Sequence, residues 1–305
     1  MTTITPSPDR VGELPKQSLA RRGSAYLFSH ARIRLALLLS TPLFWLGFVY
    51  IAALVALLIT AFWSVDSFTG DIRIDWNVDN VATVLTESIY QAVTLRTLGI
   101  ALVVTVIDIA LALPIAFVMA KVASKPVQRA LVIAILMPLW ASYLVKAYAW
   151  RNVLAEGGIL DWTLGLVGLD SPGYGLEGTV LTLAYLWLPY VILPIYTAME
   201  RVPDSLLDAS SDLGAKPGTT FRSIIFPLIT PGIIAGSIFS FSLTLGDYIA
   251  VKIVGGATQT LGSLVYTNVG TANNLPLAAA IAFIPIAIIF IYLAAVRRTG
   301  ALSNL

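Results

Sequence analysis

The sequence contains no cysteine, has a single histidine, and carries charge on only 12% of its 305 residues. The absence of cysteine excludes a disulfide framework, a thiolate metal site and a cysteine nucleophile. No segment has the Gly-x-x-x-x-Gly-Lys-Ser/Thr spacing that cradles nucleotide phosphates, and no Ser-His or paired-His spacing argues for an intramembrane enzyme. The net charge of +2 gives no reason to expect a nucleic-acid partner. The chain therefore offers no hydrolytic chemistry of its own.

Apolar residues, by contrast, make up 57% of the chain, and its mean hydropathy is +0.84. A membrane helix needs about 20 largely apolar residues. We therefore predict an all-α, polytopic membrane protein with six transmembrane helices. Their expected limits are residues 38–63, 97–120, 130–150, 179–199, 232–253 and 275–296.

Lysine and arginine are unevenly divided between the loops. Of the nineteen, six lie at the N-terminal end, three in residues 121–129, three in residues 201–222 and two at residues 297–298. The positive-inside rule places these segments, and both chain termini, in the cytoplasm. Because no charge occurs from Leu35 to Val65, too long a run for a signal peptide, residues 1–33 are interpreted as a cytoplasmic tail and 34–305 as the transmembrane domain.

Nine of the seventeen acidic residues fall in the two loops on the opposite side. Two explanations stay open for this negative outer surface. It is a solvated surface that merely avoids lysine and arginine, or it attracts a cationic ligand or a carrier protein.

The longest cytoplasmic loop, residues 200–231, has helix signals of its own. Ser205 and Asp208 have the spacing of a capping box, in which the serine oxygen accepts from a first-turn amide and the acidic side chain reaches back. Gly214 predicts the end of this helix, because glycine adopts a left-handed conformation at little cost. The pattern places four side chains on a common face: Leu206, Leu207, Ser210 and Leu213.

The same loop resembles the signature of ABC importer permeases, which reads Glu-Ala-Ala, three residues, Gly, nine residues, Ile-x-Leu-Pro. Here Asp208-Ala209-Ser210 occupies the first three positions, Gly214 the glycine position, and residues 224–227 (Ile-Ile-Phe-Pro) the last four. Both spacings match without a gap. Asp, Ser and Phe replace Glu, Ala and Leu, which affects the detail of contacts more than the family.

This resemblance implies a type I ABC importer permease fold in a bacterial cytoplasmic (inner) membrane, and a loop that forms the coupling helix. It also implies a second homologous permease subunit, two copies of an ATP-binding subunit and an extracytoplasmic substrate-binding protein. The chain itself would be no enzyme and bind no cofactor, since ATP and Mg belong to the ATPase subunits. The residues expected to couple to the ATPase are Ser205, Leu206, Leu207, Asp208, Ala209, Ser210, Asp212, Leu213, Gly214, Ala215, Ile224 and Pro227.

Further segments, within roughly residues 95–296, resemble the spermidine/putrescine branch of these permeases. The resemblance implies a polyamine substrate. Sister branches for iron and for oxyanions share much of the pattern, so these solutes remain the alternative. The segments are residues 138–140, 144–150, 188–190, 194–196, 231–233, 246–248 and 255–256.

Two carboxylates lie inside predicted spans, Asp108 in the second and Asp247 in the fifth. A buried acid costs about 2.5 to 3.5 kcal/mol on insertion scales, so a retained one has a partner or a task. Substrate contact and a structural hydrogen bond or ion pair are the alternatives for both. Polyamine ammonium groups would require carboxylates and aromatic faces. The expected pathway residues are Asp247, Tyr248, Trp140, Tyr148, Tyr190 and Asp108.

A stand-alone secondary transporter is the remaining alternative of a different class. Proline-bent spans with two intramembrane acids can support ion coupling. The cytoplasmic loop separates the two hypotheses, because a secondary carrier has no use for an ATPase-coupling helix.

Overall fold

The structure, a computed structural model, describes residues 28, 30–66 and 68–298. Helices dominate these residues, which confirms the all-α class. In the described part of the chain the β-structure is a two-stranded antiparallel hairpin, in which β1 (Ser64–Val65) pairs with β2 (Ile72–Arg73). Much of the predicted N-terminal tail, including Arg21 and Arg22, lies outside the described residues.

The helices occupy most of the remaining sequence. Irregular helical turns continue several of them: π-helical segments at Phe44–Tyr50, Val118–Val122 and Phe221–Ile225, and a 3-10 turn at Thr60–Phe62. The α-helices are α1 (Ala31–Leu43), α2 (Ile51–Ile59), α3 (Asp79–Thr86), α4 (Ser88–Phe117), α5 (Lys125–Trp140), α6 (Tyr143–Leu154), α7 (Ile159–Gly165), α8 (Leu176–Glu200), α9 (Asp204–Asp212), α10 (Pro217–Thr220), α11 (Phe226–Gly246), α12 (Ile249–Val254), α13 (Leu261–Gly270) and α14 (Leu275–Arg298).

Five continuous helical stretches are long and apolar enough to cross a membrane, or six if one bent pair of helices counts as a single span. This agrees with six predicted spans, although the helices extend beyond their most apolar segments. The five stretches are Ile33–Phe62, Ser88–Val122, Leu176–Glu200, Pro217–Gly246 and Leu275–Arg297.

The third predicted span, residues 130–150, is wrong as one continuous helix. Its halves, Lys125–Trp140 and Tyr143–Gly165, are bent by 96° from each other. Ala141 and Ser142 between them have extended ψ angles of 141° and 138°. Pro138, in the last turn before the break, has no amide hydrogen to donate to the helix. Hydropathy gave no sign of the break, because apolar residues continue on both sides.

The fifth predicted span, residues 232–253, is likewise interrupted. The helix ends at Gly246, and Asp247 is extended, with φ −71° and ψ 133°. A new short helix, α12, begins after Tyr248. Two spans that the sequence presents as continuous are therefore broken, and each break leaves polar backbone groups that need partners within the membrane.

Close contact between α8 and α11 forms a frame, and α11 ends at the break in the fifth span. Gly232 and Gly236, four residues apart on α11, face α8. A Cβ atom added at Gly232 would lie 2.6 Å from the Cβ of Ala198, and one at Gly236 would lie 3.0 Å from the Cγ1 of Val191. Small residues at this spacing let two helix backbones approach closely in a membrane, where packing rather than hydrophobicity drives association.

The chain divides into two compact units, Met1–Leu57 and Leu58–Leu305. In the described part of the first unit, α1 continues through the π-helical segment into α2, and the rings of Phe44 and Phe48 stack at 5.1 Å. The frame and every site described below belong to the second unit.

Candidate functional site

The loop of residues 200–231 contains the expected short helix, α9, but the helix starts earlier than predicted. Pro203 is its N-cap residue and Asp204 its first residue, and no side chain caps its first turn. The predicted capping box of Ser205 and Asp208 is therefore wrong. The fixed φ angle of proline provides the rigid entry into the helix instead.

The end of α9 lies where the sequence predicts it. Gly214 has a φ angle of +74°, a conformation that costs other residues about 1 to 2 kcal/mol. The amide of Ala215 then donates to the carbonyl of Ser210 at 3.0 Å. This closure turns the chain back toward α10.

The face predicted for α9 is divided between the protein and solvent. Leu207 packs on a buried cluster formed by Met199, Val202, Ile225 and Ile229. Ser210 is also buried, with its hydroxyl 2.8 Å from that of Thr220. Leu206 and Leu213 are 41% and 88% exposed. These four positions span about 120° of the helix at 3.6 residues per turn, so one part of the predicted face packs on the protein and the other part is exposed.

The other residues expected to couple lie around this helix and along the return segment. Ser205, Asp208, Ala209 and Asp212 are exposed, Ala215 and Ile224 are half-buried, and Pro227 is exposed. Ile225, which the sequence did not single out, is the buried residue of the π-helical segment, at 4% exposure. The loop thus has one side fixed to the protein and one side bearing leucine and carboxylate groups.

The two broken spans meet through one side-chain contact. The hydroxyl of Tyr143, the first residue after the break in the third span, donates to Oδ2 of Asp247, at the break in the fifth. The other oxygen of Asp247 accepts from the amide of Ala250 at 3.0 Å, and the residue is 8% exposed. Asp247 therefore joins the two breaks and caps the short helix that follows its own.

An aromatic row continues from this junction along α8 toward α11. The ring of Tyr143 stacks on Trp187 at 5.8 Å, Trp187 lies 6.1 Å from Tyr190, and Tyr190 lies 6.3 Å from Phe239. The buried indole Nε1 of Trp187 has no hydrogen-bond partner among the described residues. A carboxylate beside a row of ring faces is a suitable environment for an ammonium group and its methylene stem.

Asp108 occupies a different place in the frame. It is fully buried on α4, and its Oδ2 accepts from the hydroxyl of Ser240 at 2.5 Å. Its Oδ1 has no partner within the described chain. Ser240 lies seven residues before Asp247, or about 10 Å along α11. The two acids are thus attached to one helix at separate levels.

The remaining pathway residues do not gather around Asp247. Trp140 and Tyr148 are 86% and 50% exposed, and the Tyr248 ring stacks on Tyr266 at 4.8 Å instead. Lys252 donates to the hydroxyl of Thr267 at 3.0 Å. Of the predicted set, the structure connects Asp247 with Tyr190 through Tyr143 and Trp187.

Comparison with known proteins decides the family. Residues 101–299 match the model for the binding-protein-dependent transport system inner membrane component. The chain belongs to this family. It is therefore an inner-membrane ABC importer permease, a transport protein, as the loop signature implied.

Two relatives place this permease within the family. It is 41% identical over 308 residues to the inner membrane ABC transporter permease protein YdcU of Escherichia coli K12, covering 95% of this chain and 98% of the relative. It is 30% identical over 214 residues to the spermidine/putrescine transport system permease protein PotB of Escherichia coli K12, covering 68% and 77% of the two chains. The resemblance to polyamine-type permeases is thereby supported.

A solved structure supports the fold. A bacterial ABC transporter involved in the import of the acidic polysaccharide alginate superposes with a TM-score of 0.64 at 16% identity. The match covers 91% of this permease and 99% of that chain. At this identity the similarity concerns the fold alone.

Three residues of the junction and its surroundings were missed from the sequence of this permease: Tyr143, Trp187 and Ser240. One signal could have identified Tyr143, since it follows Pro138 and Ser142 in an apolar run, and Gly or Pro interruptions of a span mark binding sites in transporters. Ser240 carries no such signal.

Proposed function

We propose that this permease and a second, homologous permease line a path for a polyamine such as spermidine or putrescine. A substrate-binding protein delivers the solute from outside, and two separate ATPase subunits, which carry ATP and Mg, dock on the cytoplasmic loops of the two permeases, one on each. The chain itself binds no cofactor. Twelve loop residues, from Ser205 to Pro227, form the contact with the ATPase or support it.

The observation that carries this proposal is the two-sided character of α9. On the side of α9 that faces the rest of the protein, Leu207 and Ser210 are packed. On the other side, Leu206 and Leu213 are exposed beside carboxylates. A short helix with exposed apolar anchors fits a groove on a partner protein. Because its other side is packed, the helix would pass a push from that partner to the spans as a rigid body.

Contacts between inner helix ends support the proposed orientation, with both termini and the loop in the cytoplasm. Gln128, close to the start of α5, donates to Tyr196 at 2.8 Å and to Glu200 at 3.0 Å, both at the end of α8. The basic segments at residues 121–129 and 201–222 thus lie at the same end of the second unit, as the positive-inside rule requires.

The junction between the broken spans supports a cationic solute. Asp247 would provide the charge, and Tyr143, Trp187 and Tyr190 would provide ring faces along the methylene stem. The PotB relative is named for spermidine and putrescine transport. We assign Asp247 and Tyr190 to the path, with Tyr248, Trp140 and Tyr148 as outlying contacts, and Asp108 to a deeper level of the same frame.

Reconstitution of the complete importer in proteoliposomes tests this function. Uptake of radiolabelled spermidine and putrescine is measured with the binding protein outside and ATP inside, beside ferric ion, sulfate and molybdate. We expect polyamine uptake that requires both ATP and the ATPase subunits. A matched preparation with an ATPase defective in hydrolysis serves as the control.

Two results would overturn different parts of the proposal. ATP-driven uptake of an oxyanion or ferric ion, with none of a polyamine, would contradict the substrate class and leave the coupling intact. Uptake by the permease without any ATPase would instead establish a secondary transporter.

A further inference from the structure

A lysine at the inner end of the second span donates hydrogen bonds to the start of the cytoplasmic loop. Lys121 lies in the π-helical segment Val118–Val122, and its side chain is only 9% exposed. Its ammonium donates to the carbonyl of Val202 at 2.6 Å and to Oδ1 of Asp204 at 2.7 Å. A lysine that served only the positive-inside rule would extend into water, as lysines at membrane interfaces do.

The two acceptors of Lys121 lie on either side of Pro203, where the chain leaves α8 and enters α9. Val202 follows the last turn of the fourth span, and Asp204 is the first residue of α9. One ammonium group therefore binds the residue before Pro203 and the residue after it, at the start of the loop helix. It does so from the second span, which is 81 residues away from Val202 along the chain.

Apolar contacts join the same two elements beside this polar contact. Leu113 and Phe117, in the last turns of α4, pack on the cluster that also receives Leu207 of α9. Lys121 stands on the π-helical continuation of this helix, and single π-helical turns inside α-helices occur frequently at functional sites. The second span thus holds α9 by a packed surface and by one charged group.

The charge on Asp204 persists at neutral pH. The hydrogen bond from Lys121, with its positive charge, lowers the pKa of the Asp204 carboxyl. The carboxylate itself is 81% exposed, so its attraction to the lysine is screened by water. What makes the contact specific is the buried ammonium, which has both acceptors within hydrogen-bond distance and would be costly to leave unpaired.

We propose that Lys121 is a positioning residue that transmits the displacement of α9 to the second membrane span. This inference rests on the proposed function, because it requires an ATPase that moves the loop. It goes beyond that function because it names a group that couples the second span to the movement of α9. The fourth and fifth spans are joined to α9 directly through the chain, but the second span is not.

Uptake and ATP hydrolysis by the complete importer provide the first test. For Lys121→Met we expect uptake per ATP hydrolysed to fall on the order of tenfold, a coupling loss in the usual range for linked sites. Hydrolysis and copurification with the ATPase should persist, because the outer side of α9 is unchanged. Lys121→Arg should retain part of the coupling, since arginine keeps the charge and several donors.

Asp204→Ala keeps the test valid if the buried lysine cannot be replaced without misfolding. It removes an exposed carboxylate, leaves Lys121 with the Val202 carbonyl alone, and should lower coupling by a smaller factor. In the double variant Lys121→Met/Asp204→Ala, uptake per ATP should be no lower than in Lys121→Met alone, because both changes break the same contact. The matched control is Lys125→Met, which removes an exposed inner lysine whose ammonium donates to Gln128 at 3.2 Å and whose charge acts on Asp204 more weakly than that of Lys121. Equal losses from Lys125→Met and Lys121→Met, or additive losses in the double variant, would contradict the proposal.

A distance measurement separates this inference from the choice of substrate. The chain has no cysteine, so spin labels can be placed on Val122→Cys, at the end of the second span, and Ser211→Cys, on α9. In the parent importer we expect the distance between the labels to be the same in the nucleotide-free and the ATP/vanadate-trapped states, and to shift or broaden on trapping in Lys121→Met.

Each other outcome of the distance measurement has a definite meaning. A change on trapping in the parent importer would show that α9 moves independently of the second span and would overturn the inference. So would an unchanged distance in Lys121→Met. In either case ATP-dependent uptake by the same preparations would leave the proposed function standing.

Discussion

The cytoplasmic loop and the broken-helix junction differ in the sequence distance between the residues that form them. In the loop, Ser210 and Thr220 pair across 10 residues. At the junction, Tyr143 and Asp247 pair across 104 residues. The loop can therefore be recognised from the spacing of a short segment, whereas the junction exists only when two distant spans have packed.

The comparison also separates two kinds of exposure. The loop presents leucine and carboxylate groups outwards, and in the proposed function it acts through a partner. The junction buries its carboxylate among rings, so its task depends on what enters between the spans. Substitutions in the junction should therefore affect transport itself, and substitutions in the loop should affect the link between transport and hydrolysis.

The largest effect is expected from Asp247→Ala. This change removes the acceptor of Tyr143, the cap of α12 and the negative charge together. We expect uptake to fall on the order of a hundredfold, since truncating a buried, hydrogen-bonded charge costs about 2 to 5 kcal/mol. Asp247→Asn keeps the shape of the side chain, so the loss of uptake in this variant measures the part of the effect that is due to the charge. Wild-type uptake by Asp247→Ala would show that the junction is not on the path.

A large effect on stability is expected at the helix contact that carries the junction. In Gly232→Val the new side chain would collide with Ala198 and with the carbonyl of Pro194, each 2.6 Å from the added Cβ. We expect a destabilisation of at least about 1 to 3 kcal/mol, measured as a lower melting temperature in detergent. Gly99→Val, where nothing lies within 4 Å of the Cβ, is the matched control. Similar melting temperatures for the two variants would contradict the close packing of α8 and α11.

An intermediate effect is expected at the outer side of the loop. Leu213→Ser alters a side chain that is 88% exposed, so the melting temperature of the permease should not change. Its affinity for the ATPase subunit should fall about tenfold, as expected for an apolar anchor. Quantitative copurification measures this. Unchanged affinity would mean that α9 docks by other residues.

A smaller effect is expected at the end of α9. Gly214→Ala introduces a Cβ into a conformation with φ +74°, costing about 1 kcal/mol. Uptake per ATP should fall several-fold. Gly218→Ala is the control, because its Cβ also meets open space and its φ is not in the left-handed region. If both variants couple equally well, the geometry of this turn does not matter for transmission.

The smallest effect is expected from pH. The pKa of Asp204 is lowered below its ordinary value of 3.8, so the stabilisation from its ion pair is complete above that value and is lost only as the pH falls through the lowered pKa. Uptake per ATP should therefore be constant between pH 5 and 8. A loss of coupling on going from pH 7 to pH 5 would show that another group controls the link.

Sequence reasoning predicted the apolar spans, the short helix of the loop and the turn at Gly214, because each depends on hydropathy or on local backbone chemistry. It misplaced the start of α9, where Pro203 took precedence over a capping box, and it joined both broken spans, because apolar residues continue through the breaks. It missed the stacking of Tyr143 on Trp187, since this is a tertiary contact. The contacts of Lys121 with Val202 and Asp204 were hidden for the same reason.

The central claim is that α9 lies in the cytoplasm under an ATPase subunit. Ala209→Cys, on its exposed side, is labelled with a membrane-impermeant maleimide in right-side-out and inverted membrane vesicles, with Val167→Cys in the outer loop as the opposite control. We predict that Cys at 209 reacts only in inverted vesicles, and that bound ATPase blocks the reaction. Labelling at 209 from the outside would contradict the account.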